Sequence, residues 1–462
     1  MTRSTTQMLQ IWNPATGEVI DALPADDRAA VMDKAHRARE ARVRWAATRL
    51  EERIATLARF RKLVAERVET LAKTTTRETG KPVTQARNEI KALDGRLAFF
   101  LENVAPTLAA RTVFSDDTLE ERITWEPLGV VANISAWNYP YFVGSNVFVP
   151  ALLAGNAVLY KPSEHATLTG LALASLLHNA GVPESAFQVV VGGGHVGAAL
   201  VEAPIDGIFF TGSHATGVKV AEAAAKQLSK VQLELGGKDA VYVMDDVDVD
   251  RAAEATADGA FYNAGQSCCA VERLYVHESV YDAFVEKFLQ TVDAFVVGDP
   301  MDERTYLGPL TRAAQLDVLD AQVDDARAEG GHVRRGGARL DRAGFFFAPT
   351  VVTEANHRMR LMRDETFGPV IGIQKVTDDL EAAALMRDTP YGLTASIYGQ
   401  DQTRAEALLA TMETGTVYWN CCDRVSPRLP WSGRGHSGLG STLSTLGISA
   451  FVQPKAWHLR RP

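Results

Sequence analysis

Apolar positions in the first hundred residues recur at three- and four-residue intervals. Leu50, Ile54, Leu57, Val64, Val68 and Leu71 share one helical face, and Gly80-Lys81-Pro82 ends the pattern. A charged helix over 26–47 precedes it. Ile90, Leu93, Leu97, Phe100 and Val104 mark a third helix, with Pro106 near its end. Ahead of these, Trp12-Asn13-Pro14-Ala15-Thr16-Gly17 reads as a short strand and turn. From Arg122 onward the period shortens. Compact apolar runs at 130–134, 157–160, 188–191, 208–210 and 232–235 alternate with helical stretches at 168–180 and 215–228. That alternation predicts βαβ units in a parallel, doubly wound sheet, whose ligands sit at the carboxyl ends of its strands.

A second alternating block begins near Ala240. Its predicted strands are 241–244, 273–277, 370–374, 395–398 and 416–419, and its predicted helices 248–263, 280–296, 313–329 and 403–412. The tail, 450–459, has the pattern of a last strand. The apolar run from Val147 to Tyr160 is broken by Pro150, Gly155 and Asn156 and is too short to span a bilayer. The fold class is therefore α/β, with more than one domain.

Composition narrows the function. The 462 residues are 46% hydrophobic and 23% charged, as in a globular protein, and carry a net charge of −9. With no cationic surplus to neutralise phosphates, nucleic acid and anionic membranes are excluded as partners. Met1 to Gln10 is polar, without the apolar centre of a signal peptide. The four cysteines form two adjacent pairs, Cys268-Cys269 and Cys421-Cys422. That spacing suits neither a disulfide framework nor a metal site, so no metal is expected and a reducing cytoplasm fits.

Four stretches carry candidate chemistry. In Phe261-Tyr262-Asn263-Ala264-Gly265-Gln266-Ser267-Cys268, small and polar residues bring a thiol to the end of a predicted helix, where it can meet a substrate as a nucleophile. The plain alternative is a packed thiol. Gly192-Gly193-Gly194-His195-Val196-Gly197 fits G-x-G-x-x-G, and Phe210-Thr211-Gly212-Ser213-His214-Ala215-Thr216-Gly217 also joins a strand to a helix. Either loop can hold a pyrophosphate on a helix N-terminus, or be a simple tight turn. Glu234, between Leu233 and Leu235, is placed for a desolvated carboxylate with a raised pKa, or else for a strand end facing water.

Taken in order, these pieces resemble the aldehyde dehydrogenase superfamily. The resemblance runs through Asn13-Pro14-Ala15-Thr16-Gly17, Pro127-Leu128-Gly129-Val130, Trp137-Asn138-Tyr139-Pro140, Leu152-Leu153-Ala154-Gly155-Asn156 and Lys161-Pro162-Ser163-Glu164. It continues through Phe210-Thr211-Gly212-Ser213, Leu233-Glu234-Leu235-Gly236-Gly237-Lys238, the Cys268 stretch and Glu365-Thr366-Phe367-Gly368-Pro369. It implies a Rossmann-like NAD-binding domain (1–108 and 128–235), an α/β catalytic domain (236–449) and a small β oligomerisation arm (109–127 and 450–462), hence a homodimer or homotetramer. It implies oxidation of a small-molecule aldehyde to the acid, through a thiohemiacetal and a thioester on Cys268. Glu234 would be the base and Asn138 an oxyanion donor. Cofactor contacts are implied at Ile134, Ser135, Trp137, Lys161, Ser163, Glu164, Gly194, Thr211, Gly212, Ser213, Gly217, Leu235, Gly236, Glu365 and Phe367, with the pyrophosphate at Gly212 rather than at Gly192–Gly194. Glu164 favours NAD, with NADP the alternative.

The implied substrate tunnel is Tyr139, Val143, Asn146, Asp423, Arg424, Val425, Arg428 and Trp431, with Arg424 or Arg428 as a holder for a distal carboxylate or simply a surface contact. His214 stands where the family usually has Thr. Ser441-Thr442 follow Ser437-Gly438-Leu439-Gly440 where Arg-Glu is usual. Two other readings stand beside this one. A thioester hydrolase or acyltransferase would need a histidine near the thiol, and the Cys268 stretch has none. A non-catalytic NAD-binding homologue would not need Cys268, Glu234 and Asn138 together.

Overall fold

The computed structural model describes residues 7–461; Met1 to Thr6 of the polar leader and Pro462 of the tail lie outside them. Two largely parallel sheets carry the chain. The first runs, edge to edge, through Gly438–Leu439, Lys230–Glu234, Gly207–Thr211, Val130–Ile134, Ala157–Lys161 and Phe187–Val189. Its five longer-range strands are parallel, and Gly438–Leu439 joins antiparallel at the edge. Val130–Ile134 and Ala157–Lys161 are buried at every position, as expected of strands covered on both faces. Helix Arg28–Ala47 buries Val31, Ala35, Ala38, Ala41 and Trp45 at helical spacing, and Asp27 caps it by accepting from the Ala30 N–H. Val31, Ala35 and Ala38 pack with Val130, Ala132 and Ile208 of the sheet.

The second sheet has the order His332–Arg335, Thr350–Thr353, Val370–Val376, Arg273–His277, Ala240–Val243, Thr394–Tyr398, Thr416–Trp419. Only His332–Arg335 is antiparallel. A separate antiparallel ribbon joins Arg111–Ser115, Leu119–Pro127 and Val452–Arg460, so the chain's tail pairs with a segment more than 300 residues away. A hairpin, Met8–Asn13 with Glu18–Pro24, occupies the start.

Four differences from the sequence reading have physical reasons. The predicted single helix through Leu50 and Leu71 is two, Leu50–Glu66 and Val68–Thr79, broken where Arg67 takes φ −117° and ψ 14°. Leu57, Val64 and Leu71 are all buried, so the apolar period runs across the break and conceals it. Helix Pro140–Leu153 was not separable from the apolar run at 147–160, because it is buried all round and has no polar face. The predicted helix over 248–263 stops at Phe261, and Tyr262–Gly265 forms a tight 3₁₀ turn. Strands His332–Arg335 and Thr350–Thr353 and helix Asp379–Arg387 carried too short a pattern to be read. Most other boundaries shift by one to three residues at their frayed ends.

Candidate active site

The turn after helix Val249–Phe261 decides where the thiol goes. Asn263 and Ala264 both take left-handed conformations, φ 54° and 55°. Two non-glycine residues there cost of order 1–3 kcal/mol each, so the surroundings must hold the turn. They do so through hydrogen bonds. The Asn263 N–H donates to Gln85 Oε1 at 2.9 Å, and its side-chain amide donates to the Asn138 carbonyl at 3.2 Å. Gln266 Nε2 donates to the Asn263 carbonyl at 3.0 Å, and Gln266 Oε1 accepts from the Thr311 N–H at 2.9 Å. The stitched loop leaves Cys268 partly exposed and buries Cys269.

Cys268, Glu234 and Asn138 line one cavity of about 450 Å³. Tyr139, Val143, Asn146, Thr211, Asp423, Arg424, Val425, Arg428 and Trp431 line it too, so every tunnel position implied by the sequence reaches the same space. Glu234 ends the strand Lys230–Glu234 and is 5% exposed. Burial raises its pKa, against hydrogen bonds from Trp431, the Cys268 thiol and Thr211. Trp431 Nε1 donates to Glu234 Oε1 at 3.0 Å. The Cys268 thiol is held well up by its hydrogen bond with Cys269, then by burial and by Glu234. Both shifts run toward the neutral form. Asn138 sits at the mouth of helix Pro140–Leu153 with one polar atom of its side-chain amide buried and without a partner. That atom is Oδ1, an acceptor, so a developing oxyanion would be met by the N–H of the same amide, Nδ2.

The segment Ser437-Gly438-Leu439-Gly440 explains how Glu234 is held. Gly438 pairs opposite Glu234, and the Leu235 N–H donates to the Ser437 carbonyl at 3.0 Å. A side chain at Gly438 is excluded: φ is 142°, and a Cβ would stand 2.2 Å from the Leu233 carbonyl. Thr442 then exchanges backbone hydrogen bonds with Trp431 at 2.8 and 2.9 Å. Where a glutamate was expected, the cavity has a threonine, and the partner of Glu234 is an indole N–H.

Most residues implied for the cofactor lie at the carboxyl ends of the first sheet, while Glu365 and Phe367 precede strand Val370–Val376 of the second. Ser213 caps helix His214–Ala225 by accepting from the Thr216 N–H, and Gly212 bonds back to the Glu234 carbonyl at 3.1 Å. A Cβ at Gly212 would meet the Phe210 ring at 2.5 Å, and one at Gly217 would meet Leu235 at 2.6 Å. The helix N-terminus is thereby brought close against the sheet, a fitting seat for a pyrophosphate. A Cβ at Gly194 meets nothing within 4 Å. Buried Lys161 lies 3.7 Å from Glu164, and Ser163 Oγ donates to Glu164 at 3.5 Å. Ser135, beside Ile134, donates its N–H to the Lys161 carbonyl.

Trp137 meets Phe367 edge to face at 5.5 Å. Glu365 closes over Gly236, where a Cβ would stand 2.2 Å from its Oε1, and burial pushes its pKa up to about 8, with Glu272 adding to the rise. The Lys238–Glu272 pair at 2.6 Å anchors that loop, because Glu272 accepts from the Thr366 and Phe367 N–H groups. Gly-lined cradles, a buried lysine with a carboxylate and a helix N-terminus fit a dinucleotide. His214 stacks on His436 at 4.0 Å rather than on another loop residue.

Sequence reasoning missed one wall. Helix Val83–Thr107 contributes Gln85, Asn88, Glu89, Ala92, Gly95 and Arg96 to the cavity. Four polar residues at i, i+3, i+4 and i+11 run beside the stripe of Ile90, Leu93 and Leu97, and that interruption was the readable signal. It also missed that Asp423 accepts from Ser267 Oγ at 3.1 Å and from the Cys269 thiol at 3.0 Å. Desolvation pushes Asp423 up to about 6. Cys269 thus anchors the loop from behind. Arg424 is largely exposed, 3.9 Å from Asp258, and Arg428 is exposed at the rim.

This thiol, carboxylate and amide on a two-sheet α/β frame define a protein of the aldehyde dehydrogenase family, to which the chain belongs. The model of that family matches residues 1–457. The chain is 36% identical to the succinate-semialdehyde dehydrogenase [NADP(+)] of Deinococcus radiodurans, over 96% of this chain and 93% of that one. It is 35% identical to aminoaldehyde dehydrogenase 1 of Malus domestica, over 97% of this chain and 91% of that one. The crystal structure of PnpE in complex with nicotinamide adenine dinucleotide superposes with a TM-score of 0.95 at 33% identity, over 98% of this chain and 94% of that one.

Proposed function

We propose that this NAD(P)-dependent aldehyde dehydrogenase works through Cys268 as nucleophile, Glu234 as base and Asn138 as oxyanion donor. The convergence of those three side chains on one cavity carries the reading. Glu234, against the thiol, is the base within reach of its proton. The sulfur adds to the aldehyde carbon, and the Asn138 amide with the Cys268 N–H meets the new alkoxide. A bound nicotinamide supplies the acceptor for the hydride leaving that carbon, so the carbon becomes a thioester on Cys268. Glu234 then takes a proton from water, the hydroxide adds to the thioester, and the sulfur leaves as the acid forms. Trp431 holds the carboxylate in place for this step.

Glu164 supports NAD over NADP, since a carboxylate beside Lys161 repels a 2′-phosphate. Glu365, which keeps its proton up to about pH 8, can donate to a ribose hydroxyl. The nucleotide domain is assigned to 1–108 and 128–235, the catalytic domain to 236–449, and an oligomerisation arm to 109–127 and 450–462. Strand Arg111–Ser115 is exposed at all five positions, with Val113 and Phe114 among them, which supports a homodimer or homotetramer built on its edge. Among the described residues no helix is long and apolar enough to cross a membrane, and four free cysteines suit the reducing cytoplasm.

The test follows NADH absorbance with an aldehyde panel. Cys268→Ala should abolish aldehyde-dependent NADH formation, and retained turnover would sink the assignment. Glu234→Gln should slow the first hydride transfer, which needs the thiol deprotonated, and then stall as an acyl-enzyme visible by mass spectrometry. Unchanged steady-state turnover in that variant would remove Glu234 from its role.

A further inference from the structure

One charge in the cavity is left without a counter-charge. Arg96 lies on helix Val83–Thr107 and is 6% exposed, yet its side chain lines the cavity that holds Cys268. Among the described residues it forms no ion pair. Its one side-chain hydrogen bond is from Nη1 to Asn146 Oδ1 at 3.0 Å, and its guanidinium carbon stands 3.8 Å from the centre of the Phe142 ring. A guanidinium has five N–H donors, so most of them remain free. Burial pushes its pKa down to about 10, which still leaves it cationic at neutral pH.

Glu89, the carboxylate that acts on Arg96, and the cavity's other two, Asp423 and Glu234, are already engaged. Glu89 is locked to Lys81 at 2.5 Å and caps helix Pro140–Leu153 by accepting the Tyr141 and Phe142 N–H groups. Asp423 accepts from Ser267 and Cys269. In front of Arg96 the wall is open: Gly95 is exposed, and a Cβ built on it meets nothing within 4 Å. A buried cation is normally paired, and an unpaired one facing a binding cavity is a receptor for an anion. The planar fork suits a carboxylate best.

We infer that Arg96 is a specificity-determining residue that receives the distal carboxylate of the substrate, so the enzyme acts on aldehydes bearing an acid group at the other end. This rests on the reading of Cys268 as the nucleophile. It moves the carboxylate holder from the exposed Arg424 and Arg428 to a buried arginine on another element. Asn146 holds the guanidinium edge, Phe142 supports its face, and the free N–H groups point the substrate's aldehyde end toward Cys268.

The test compares ω-carboxy aldehydes of two to six carbons with neutral aldehydes of equal length and with ω-amino aldehydes, using the full-length enzyme and its cofactor. The wild type should prefer the carboxy series in kcat/KM, with an optimum at one chain length. Arg96→Met, which fills similar space without a charge, should lower the carboxy-to-neutral ratio of kcat/KM about 100-fold, mainly through KM. Arg96→Lys should recover part of that ratio. Equal losses for carboxy and neutral aldehydes would make Arg96 merely structural and overturn the inference. So would a wild-type preference for neutral or amino aldehydes, a result that needs no variant to fold. Failure to oxidise any aldehyde at all would instead overturn the role of Cys268.

Discussion

Trp431→Phe isolates the hydrolytic half of the reaction. It removes the N–H that donates to Glu234 Oε1 at 3.0 Å and keeps an aromatic ring in the cavity wall. Glu234 is almost fully buried, so water does not replace the lost donor. A hydrogen bond to a charged group is worth about 1.5–3 kcal/mol. Because this one favours the ionised form, its loss pushes an already raised pKa further up. At a fixed pH the ionised fraction, and with it hydrolysis of the thioester, falls by up to the roughly 10- to 100-fold that about 1.5–3 kcal/mol allows. The hydride step does not use ionised Glu234 in the same way once the thiohemiacetal has formed. Stopped-flow absorbance should therefore show an NADH burst near one equivalent per active site, followed by a slow steady state. Raising the pH should restore the steady rate in the variant further than in the wild type. A variant with no burst, or with its pH profile unmoved, would refute the idea that the indole sets the ionisation of Glu234.

Asn138→Ala should lower kcat/KM by about 10²- to 10³-fold with little change in cofactor affinity, checked by NAD(P) titration against aldehyde kinetics. Gly438→Ala forces a side chain at φ 142° into the Leu233 carbonyl, so thermal unfolding should show a loss of about 1–3 kcal/mol and hydrolysis should slow with it. Glu78, 2% exposed, accepts from the Leu168 and Thr169 N–H groups, and burial pushes its pKa from 4.5 up to about 7. The folded chain then binds this proton more tightly than the unfolded one. Stability should thus fall as pH rises from about 4.5 to about 7, by about 3 kcal/mol from this group. Denaturant midpoints at pH 5 and pH 8 should differ less in Glu78→Gln than in the wild type; an identical difference would exclude Glu78 as the source.

The sequence by itself determined the sheet-forming texture and pointed to a candidate nucleophile and its partners. Continuous apolar runs such as Val130–Ile134 read as buried parallel strands because both faces are covered. Cys268, Glu234 and Asn138 were singled out because their stretches, taken in order, resemble the aldehyde dehydrogenase superfamily; alone, the thiol and the carboxylate each kept a plain structural reading. Only the tertiary structure decided what surrounds them. Helix Pro140–Leu153 was invisible as a helix because it has no polar face. The pairing of Gly438 with Glu234 joins positions 204 apart, and nothing local encodes it. The substitution Ser441-Thr442 pointed to altered proton handling, but only packing shows Trp431 taking the carboxylate's side. Arg96 makes the same point for the substrate. A charged residue beside an apolar stripe has no meaning along the chain; its lack of an ion pair appears only when distant elements close around one cavity, because desolvation and pairing are properties of the folded volume.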